Sequence, residues 1–507
     1  MATPAQQERL AAIRGILEQD VMRARRLAEE AVAADPDLIE FREALVFTYV
    51  RVNDMRGVIA QCAAVPPDKS TSTLFEARGI AHLQLGENAA ALEAFQAAAR
   101  IRPMALVADR MGRTLHRLGR VPEAAGMFKT IIDQLPATEG FRFNAMRNLA
   151  YALRDLRRWA EADAVIRDLF TAYRTQPVQV ASSIVGADME VPYYGWMIFL
   201  NKGSLAHALD NWHARHTDHP RVWPESFVMP GDEARLAKFK STAPPSMIFA
   251  IKPENLYGGQ GIHLTRDPMA HTAGPSVIQR YIDNPYLLDG YKFHARVYVL
   301  VTGSNPPRAY VYREGIARLA PERYATDDAA LARPGMHVTN TALHLKHPDL
   351  KVSQDANEEN VGNIWTMSAV YRRMAADGMD AQAVSSRIAV LARYMVTIAN
   401  DFGIFARQAA EHTRYAFPPR AFGLDVLVDA AGRPWLIEYQ RNPALSGNPL
   451  VNRINAELCR TILGMTVYPL TDALGGRPPE TLNDNAYRNS LEEEFERRAR
   501  GLFERII

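Results

Sequence analysis

The feature that most restricts this chain is a repeat spacing of 33 residues. The segments LFEARGIAHLQLGENAAALEAFQAAARIRP and ALVADRMGRTLHRLGRVPEAAGMFKTIIDQLP align at that offset. Leu85–Gly86 recurs as Leu118–Gly119, Ala91 as Ala124, Phe95 as Phe128 and Pro103 as Pro136. A fixed period of this size marks stacked helical hairpins. One hairpin cannot bury its apolar stripe alone, so neighbours share a continuous core and leave a concave surface along the stack. A further unit, NLAYALRDLRRWAEADAVIRDLF, keeps the internal spacing with Leu156 and Ala162 after a longer connection. Weaker versions lie around Leu27–Pro36 and Leu38–Pro67. Four to five helix pairs are expected over residues 5–175.

The period and residue types resemble the tetratricopeptide repeat, with small residues where two helices cross and a Pro closing the second helix. That resemblance implies an all-α solenoid. Its concave face either recruits a protein or peptide or only supports the second domain, and both readings stand. Around Gln176 the texture changes to runs such as VPYYGW and HPRVWPESFVMPGDE, which places a domain boundary at residues 175–190. A chain of 507 residues exceeds one ordinary core in any case.

Composition narrows the partners. Lys plus Arg is 59 against 57 for Asp plus Glu, a balance that argues against a dedicated nucleic-acid binder. Cys62 and Cys459 are far apart, without a CxxC or His companion, so neither a disulfide framework nor a zinc site is indicated. The first twenty residues carry charges throughout and no apolar h-region, and no run reaches membrane-spanning length. A cytoplasmic protein without membrane or nucleic-acid partners is expected.

The chemistry lies between residues 245 and 445, where apolar strands end in polar residues. In FAIKPENLYGGQGI, Lys252 ends an apolar strand and Gly258, Gly259 and Gly261 come after it. Glycines let backbone N–H groups approach phosphate oxygens, and a lysine adds a point charge. Taken by itself, such a turn is more often a plain hairpin. In YKFHARVYVLV, an extended backbone puts Lys292, His294 and Arg296 on one face and Phe293, Ala295 and Val297 on the other. Charges on a strand this apolar point to an anion rather than to solvent. In LDVLVDAAGRPWLIEYQRNP, Asp425 at the start of one strand and Glu438 at the end of the next flank the turn DAAGRP. Carboxylates brought together by a hairpin need a neutraliser, either nearby arginines or Mg²⁺. Gln440 lies on the face of Glu438.

Together and in this order, these segments resemble the tubulin–tyrosine ligase-like family over roughly residues 195–465. VIQRYIDNPYLLDGYKFHARVYVLV is similar to the family signature almost throughout. LNKGSL and WPESFVMPGD precede it, and YVYREGIARLA, MHVTNTALH and FGLDVLVDAAGRPWLIEYQRNPAL come after it. The resemblance implies an ATP-grasp α+β fold and ATP-dependent activation of a carboxylate. It matches Lys202 and Lys252 to ATP phosphates, and Gln279, Arg280, Tyr281 and Ile282 to the segment lining adenine. Lys292 and Thr339 match adenosine contacts, with Asn340 beside Thr339 in one active-site strand. Arg296 matches a γ-phosphate contact and Arg318 an arginine near the reacting carboxylate, the two catalytic candidates. Asp425, Glu438 and Gln440 match the magnesium site. Two residues depart from the family: His294 stands where Asp is usual in K-F-D-x-R, and Gln440 where Asn is usual in E-x-N, with Asn442 nearby.

The expected organisation is therefore a multidomain chain. Helical repeats fill residues 1–178, an N-terminal ligase subdomain 179–244, the catalytic core 245–470 and a C-terminal helical extension 471–507. The expected activity is an ATP- and Mg²⁺-dependent carboxylate–amine ligase that adds a free amino acid to a protein or peptide through an acyl phosphate. A small-molecule ligase and a nucleotide-binding adaptor are the alternatives. LEEEFERRARGLFERII, with Leu491, Phe495, Leu502 and Phe503, reads as an amphipathic helix packed on the ligase domain.

Overall fold

In the computed structural model, residues 3–17, 21–52, 54–136, 139–175, 199, 201–254, 256, 258–304, 306–405, 420–440, 447–466 and 485–507 are described. The chain divides into two compact units, residues 1–192 with 468–493 and residues 193–467 with 494–507. The expected boundary at 175–190 lies outside the described residues apart from its first position.

The first unit is all-α. Ten consecutive helices are described up to residue 175: α1 (Pro4–Ile16), α2 (Val21–Ala34), α3 (Ile39–Arg51), α4 (Met55–Ala63), α5 (Ser72–Gln84), α6 (Asn88–Ile101), α7 (Ala105–Arg117), α8 (Val121–Gln134), α9 (Gly140–Asp155) and α10 (Trp159–Thr175). Side-chain caps start several of them: Thr3 forms a capping box at α1, and Asp54 and Thr71 accept from Gly57 and Leu74.

The 33-residue period has a packing cause. A Cβ added to Gly79 would lie 2.5 Å from the Phe95 ring, and one added to Gly112 would lie 2.6 Å from the Phe128 ring. Each hairpin thus closes by seating a fully buried phenyl against a bare backbone. The connection also repeats. Gly86 and Gly119 hold φ of 79° and 75°, and Glu87 and Arg120 donate backwards to the His82 and Leu115 carbonyls at 2.9 Å. These are left-handed C-caps. In the third unit the same place is taken by Arg157, at φ 58°, with Arg158 donating to Leu153 at 2.8 Å.

The second unit is α+β. After α11 (Lys202–Arg215), strands β1 (Ser226–Met229), β2 (Phe249–Pro253), β3 (His263–Thr265) and β4 (Ser276–Arg280) make an antiparallel sheet in the order β1-β4-β2-β3. Helix α12 (Glu233–Thr242) packs on it, with Leu236 beside Phe227 and Phe249 in one apolar cluster. A second sheet runs β10-β6-β5-β8-β9 and contains β5 (Phe293–Ser304), β6 (Pro307–Leu319), β8 (Arg420–Val428), β9 (Pro434–Gln440) and β10 (Phe503–Arg505); β7 (Ile364–Thr366) pairs with β6. Helices α13 (Met367–Ala376) and α14 (Ala381–Asp401) cover it. Their Val370, Leu391 and Met395 share a core with Val297, Val299 and Leu424. Helix α15 (Pro449–Thr466) comes next in the chain. Among the described residues, no helix is long and apolar enough to cross a membrane. An all-α region leading into an α+β domain is the architecture expected from sequence.

The C-terminal segment differs from expectation. Helix α16 (Asn485–Ala499) ends before Gly501, which holds φ 48°, and the alternating residues beyond it form β10 against Tyr310–Tyr312. Phe503 is buried in that strand while Leu502 faces outward. Glu496 is buried in the second unit, accepting from Arg308 Nε at 3.1 Å and the Tyr310 hydroxyl at 2.7 Å.

Candidate active site

A cavity of about 400 Å³ opens between the two sheets of the second unit. It draws Ala250, Lys252, Val277 and Gln279 from the first sheet, His294, Arg296, Arg318, Asp425 and Glu438 from the second, and Lys292 from the residue just before β5. Strand alternation places them. Phe293, Ala295 and Val297 enter the apolar core, so Lys292, His294 and Arg296 turn to the opposite face. Register then lines up partners across the sheet: His294 opposite Arg318, Arg296 opposite Asp425, Asp425 opposite Glu438 and Gly423 opposite Gln440.

Six basic side chains (Lys202, Lys252, Arg280, Lys292, Arg296 and Arg318) and two carboxylates line the cavity among its described residues, and Arg280 pairs with Glu225 at 3.1 Å. Arg296 grips Asp425 through Nε at 2.5 Å and an Nη at 3.2 Å. Burial works against both charges, yet each partner outweighs it: Asp425 is held below the usual carboxylate range and Arg296 above its ordinary value. Glu438 moves the other way, pushed up by burial and then by Asp425. Burial lowers the lysines too, Lys252 to about 8 and Lys292 to about 7, and Lys202 less far. It also lowers Arg318, helped by Arg296, and Arg318 Nε is buried with no hydrogen-bond partner among the described residues. Such a surplus of buried positive charge calls for an anion.

Supporting contacts fix the lysines. Lys252 donates to Gln279 Oε1 at 2.7 Å, and the Gln279 amide donates to Ser226 Oγ at 2.9 Å. Lys202 donates to the Leu256 carbonyl at 2.6 Å. Lys292 donates to the Tyr281 hydroxyl at 2.8 Å and the His337 carbonyl at 3.0 Å. Sequence reasoning missed Ser226 and His337. The His337 ring hydrogen-bonds Tyr281 at 3.0 Å and the Ala330 carbonyl at 3.0 Å, and no motif announced it. His294 is buried, tied through Nδ1 to Thr339 Oγ1 at 2.5 Å, and burial pushes it down to about 4.

Most of the residues singled out from sequence converge here. Gly259, Arg280, Tyr281, Ile282, Thr339 and Asn340 line the cavity with those already named. Gly258 and Gly261 flank it in the turn after β2, at φ of 68°, and Gly259 holds φ 90°. Gln440 reaches Asp425 Oδ2 at 3.3 Å without lining the cavity. Asn442 lies outside the described residues.

Two expectations need correction. Thr339 and Asn340 are not in a strand; they lie in an irregular segment between the short helices Pro334–His337 and Thr341–His344. The carbonyls there serve side chains instead of a ladder, His344 bonding the Val338 oxygen at 2.7 Å and Lys292 that of His337. Nor does Asp425 begin its strand. β8 starts at Arg420 because β5 pairs with it from Val301 onward.

Asp425 and Glu438 offer carboxylate oxygens on adjacent strands, with the Gln440 amide beside them. Among the described residues, no group of three or more His, Cys, Asp or Glu gathers to enclose a metal. Two carboxylates with an amide suit a hard cation that keeps water and phosphate in its shell, so these residues fit Mg²⁺. The cavity's volume and its mix of apolar wall and convergent charge suit a nucleotide.

The domain that holds this cavity matches known proteins. The profile of the Tubulin-tyrosine ligase family matches residues 191–473. Tubulin polyglutamylase ttll-5 of Caenorhabditis elegans is 31% identical over 264 residues, 49% of this chain and 36% of that protein. Tubulin polyglutamylase TTLL5 of Homo sapiens is 28% identical over 277 residues, 54% of this chain and 21% of that protein. Tubulin monoglutamylase TTLL4 of Homo sapiens is 26% identical over 254 residues, 50% of this chain and 21% of that protein. The match thus spans about a third or less of each of these curated relatives.

Proposed function

The chain belongs to the tubulin-tyrosine ligase family, and we propose that its α+β domain is an ATP-grasp carboxylate–amine ligase that uses Mg²⁺. The observation that carries this reading is the cavity itself, where Lys202, Lys252, Arg296 and Arg318 face Asp425 and Glu438. A neutral or cationic ligand would leave that charge unsatisfied, whereas a triphosphate and a carboxylate satisfy it.

In this reading Gln279, Arg280, Tyr281, Ile282, Lys292, Thr339 and Asn340 hold the nucleoside, and the Gly258–Gly261 turn borders its phosphates. Asp425, Glu438 and Gln440 would hold Mg²⁺, which would neutralise phosphate oxygens. An acceptor carboxylate oxygen attacks the γ-phosphorus, ADP leaves, and an acyl phosphate forms. The amine of an amino acid then attacks the acyl carbon, phosphate leaves, and an amide remains. Lys202, Lys252, Arg296 and Arg318 stabilise the negative charge in flight, which is mainly electrostatic work. The acceptor is a protein or peptide recruited by the helical repeats, in the cytoplasm. The names of the relatives make glutamate the first amino acid to try and a tubulin-like chain the first acceptor.

The test is ADP formation by the purified protein with ATP and Mg²⁺, against each amino acid in the presence of source-cell lysate, with Glu438→Gln as control. Amino-acid-dependent ADP release that the variant loses supports the ligase. ATP binding without release above the variant favours a nucleotide-binding adaptor. Release with an amino acid but no mass increase on any protein favours a small-molecule ligase.

A further inference from the structure

His294 occupies the middle station of the cavity face of β5, between Lys292 and Arg296. Alternate residues on one strand face repeat at about 6.6–6.8 Å, so the three side chains sample three successive parts of a bound ligand. At the Lys292 station stands Tyr281, with Leu331 packed in its cluster, an aromatic and apolar wall suited to a flat base. At the Arg296 station stand Asp425, Glu438 and Lys252, where charge is handled. A nucleotide is built in the same order, base, sugar, phosphate. Given the nucleotide reading above, on which this inference rests, His294 falls at the sugar.

The ring is 8% exposed, and its two nitrogens differ. Nδ1 is taken by Thr339 Oγ1 at 2.5 Å. Nε2 is buried with no hydrogen-bond partner among the described residues, and Asp425 Oδ1, at 3.7 Å, is too far to serve as one. A buried polar atom left unmatched beside a cavity is costly until a ligand atom meets it. The Thr339 hydroxyl can donate to or accept from Nδ1, so Nε2 is the group left to meet a hydroxyl in either tautomer.

We propose that His294 is the specificity-determining residue for the sugar, and that it reads one ribose hydroxyl through Nε2. One ring nitrogen reaches one hydroxyl, and the neighbouring hydroxyl is left unread by this residue. A carboxylate in the same place would instead accept from both vicinal hydroxyls.

Calorimetry of the full chain with ADP, 2′-deoxy-ADP and 3′-deoxy-ADP in Mg²⁺ tests this without requiring turnover. One deoxynucleotide is expected to bind about tenfold weaker than ADP, the value of one hydrogen bond in a buried site. The other is expected within about threefold, because this residue makes no bond to the hydroxyl it lacks. His294→Ala levels the three, and His294→Asp penalises both deoxynucleotides. Equal binding of all three to the wild type, equal loss with both deoxynucleotides, or an unchanged pattern in His294→Ala overturns the proposal. The wild-type series decides by itself if a variant fails to fold. Absence of ADP binding overturns the nucleotide reading and this inference with it.

Discussion

Replacing Glu438 with Gln should end turnover and yet make the ligand-free protein more stable. Asp425 and Glu438 face each other in the β8–β9 register, and cross-strand partners have Cβ atoms about 4.5–5.5 Å apart. Two negative charges at about 5 Å and an effective dielectric of about 20 repel by about 3 kcal/mol. Lys252 and Lys202 offset part of this, but burial and Asp425 still win, since Glu438 is held above its ordinary range. The sign comes from proton linkage. A carboxyl with a raised folded-state value keeps a proton that the unfolded chain has released. Stability therefore falls as pH rises from the unfolded value through the folded one, and stays reduced above it. The amide removes that penalty, leaving a gain of about 1 kcal/mol, or about 2 °C in Tm for a unit of this size. Thermal melts should show the variant ahead at about pH 8 and the gap closing towards about pH 3, where Glu438 is protonated in both states. Adding ATP and Mg²⁺ should reverse the order, because ligand binding stabilises the wild type more. A variant less stable than wild type without ligand would refute the reasoning and make Glu438 a stabilising partner of the two lysines. Retained ADP release would refute its place in the chemistry.

Three further outcomes are expected. Burial holds Lys252 near 8, so ADP affinity should fall as pH rises through about that value as the ammonium is lost; Lys252→Arg, which stays charged, should flatten the profile in a binding titration. Arg157→Gly should stabilise the repeat unit by about 0.5–1 kcal/mol, because a left-handed backbone is costly for a side-chain residue, and an unchanged or lower denaturation midpoint would count against that strain. Gly112→Val should cost about 1–3 kcal/mol through overpacking against Phe128, visible as earlier loss of helical circular dichroism.

What could be read from sequence was periodic. The 33-residue spacing exposed the helical hairpins, and strand alternation separated Lys292, His294 and Arg296 from the core side of β5. Gly79 and Gly112 obey the same offset and were overlooked, although the signal was present. Other features depend on long-range pairing that no local pattern encodes. Nothing in ARVYV or GLDVL announces that Arg296 and Asp425 bond each other, since that depends on the register of strands 129 residues apart. His337 was illegible for a similar reason, because its ring and its carbonyl act on residues about fifty positions away. The final strand was masked by dense charge around a short apolar alternation, which only the free edge of β6 makes into a sheet partner.

The Arg296–Asp425 pair carries a consequence for how ligand charges arrive. Opening it from one side alone strands a buried charge, at a cost of about 3–5 kcal/mol. Opening it from both sides together, with an anion taking the guanidinium while a cation takes the carboxylate, strands neither. The pair therefore acts as an energetic coupling between the two occupants. Each lowers the cost of admitting the other, by equal amounts, as reciprocity requires. A pair so arranged favours an anion and a cation arriving together over either one opening it alone.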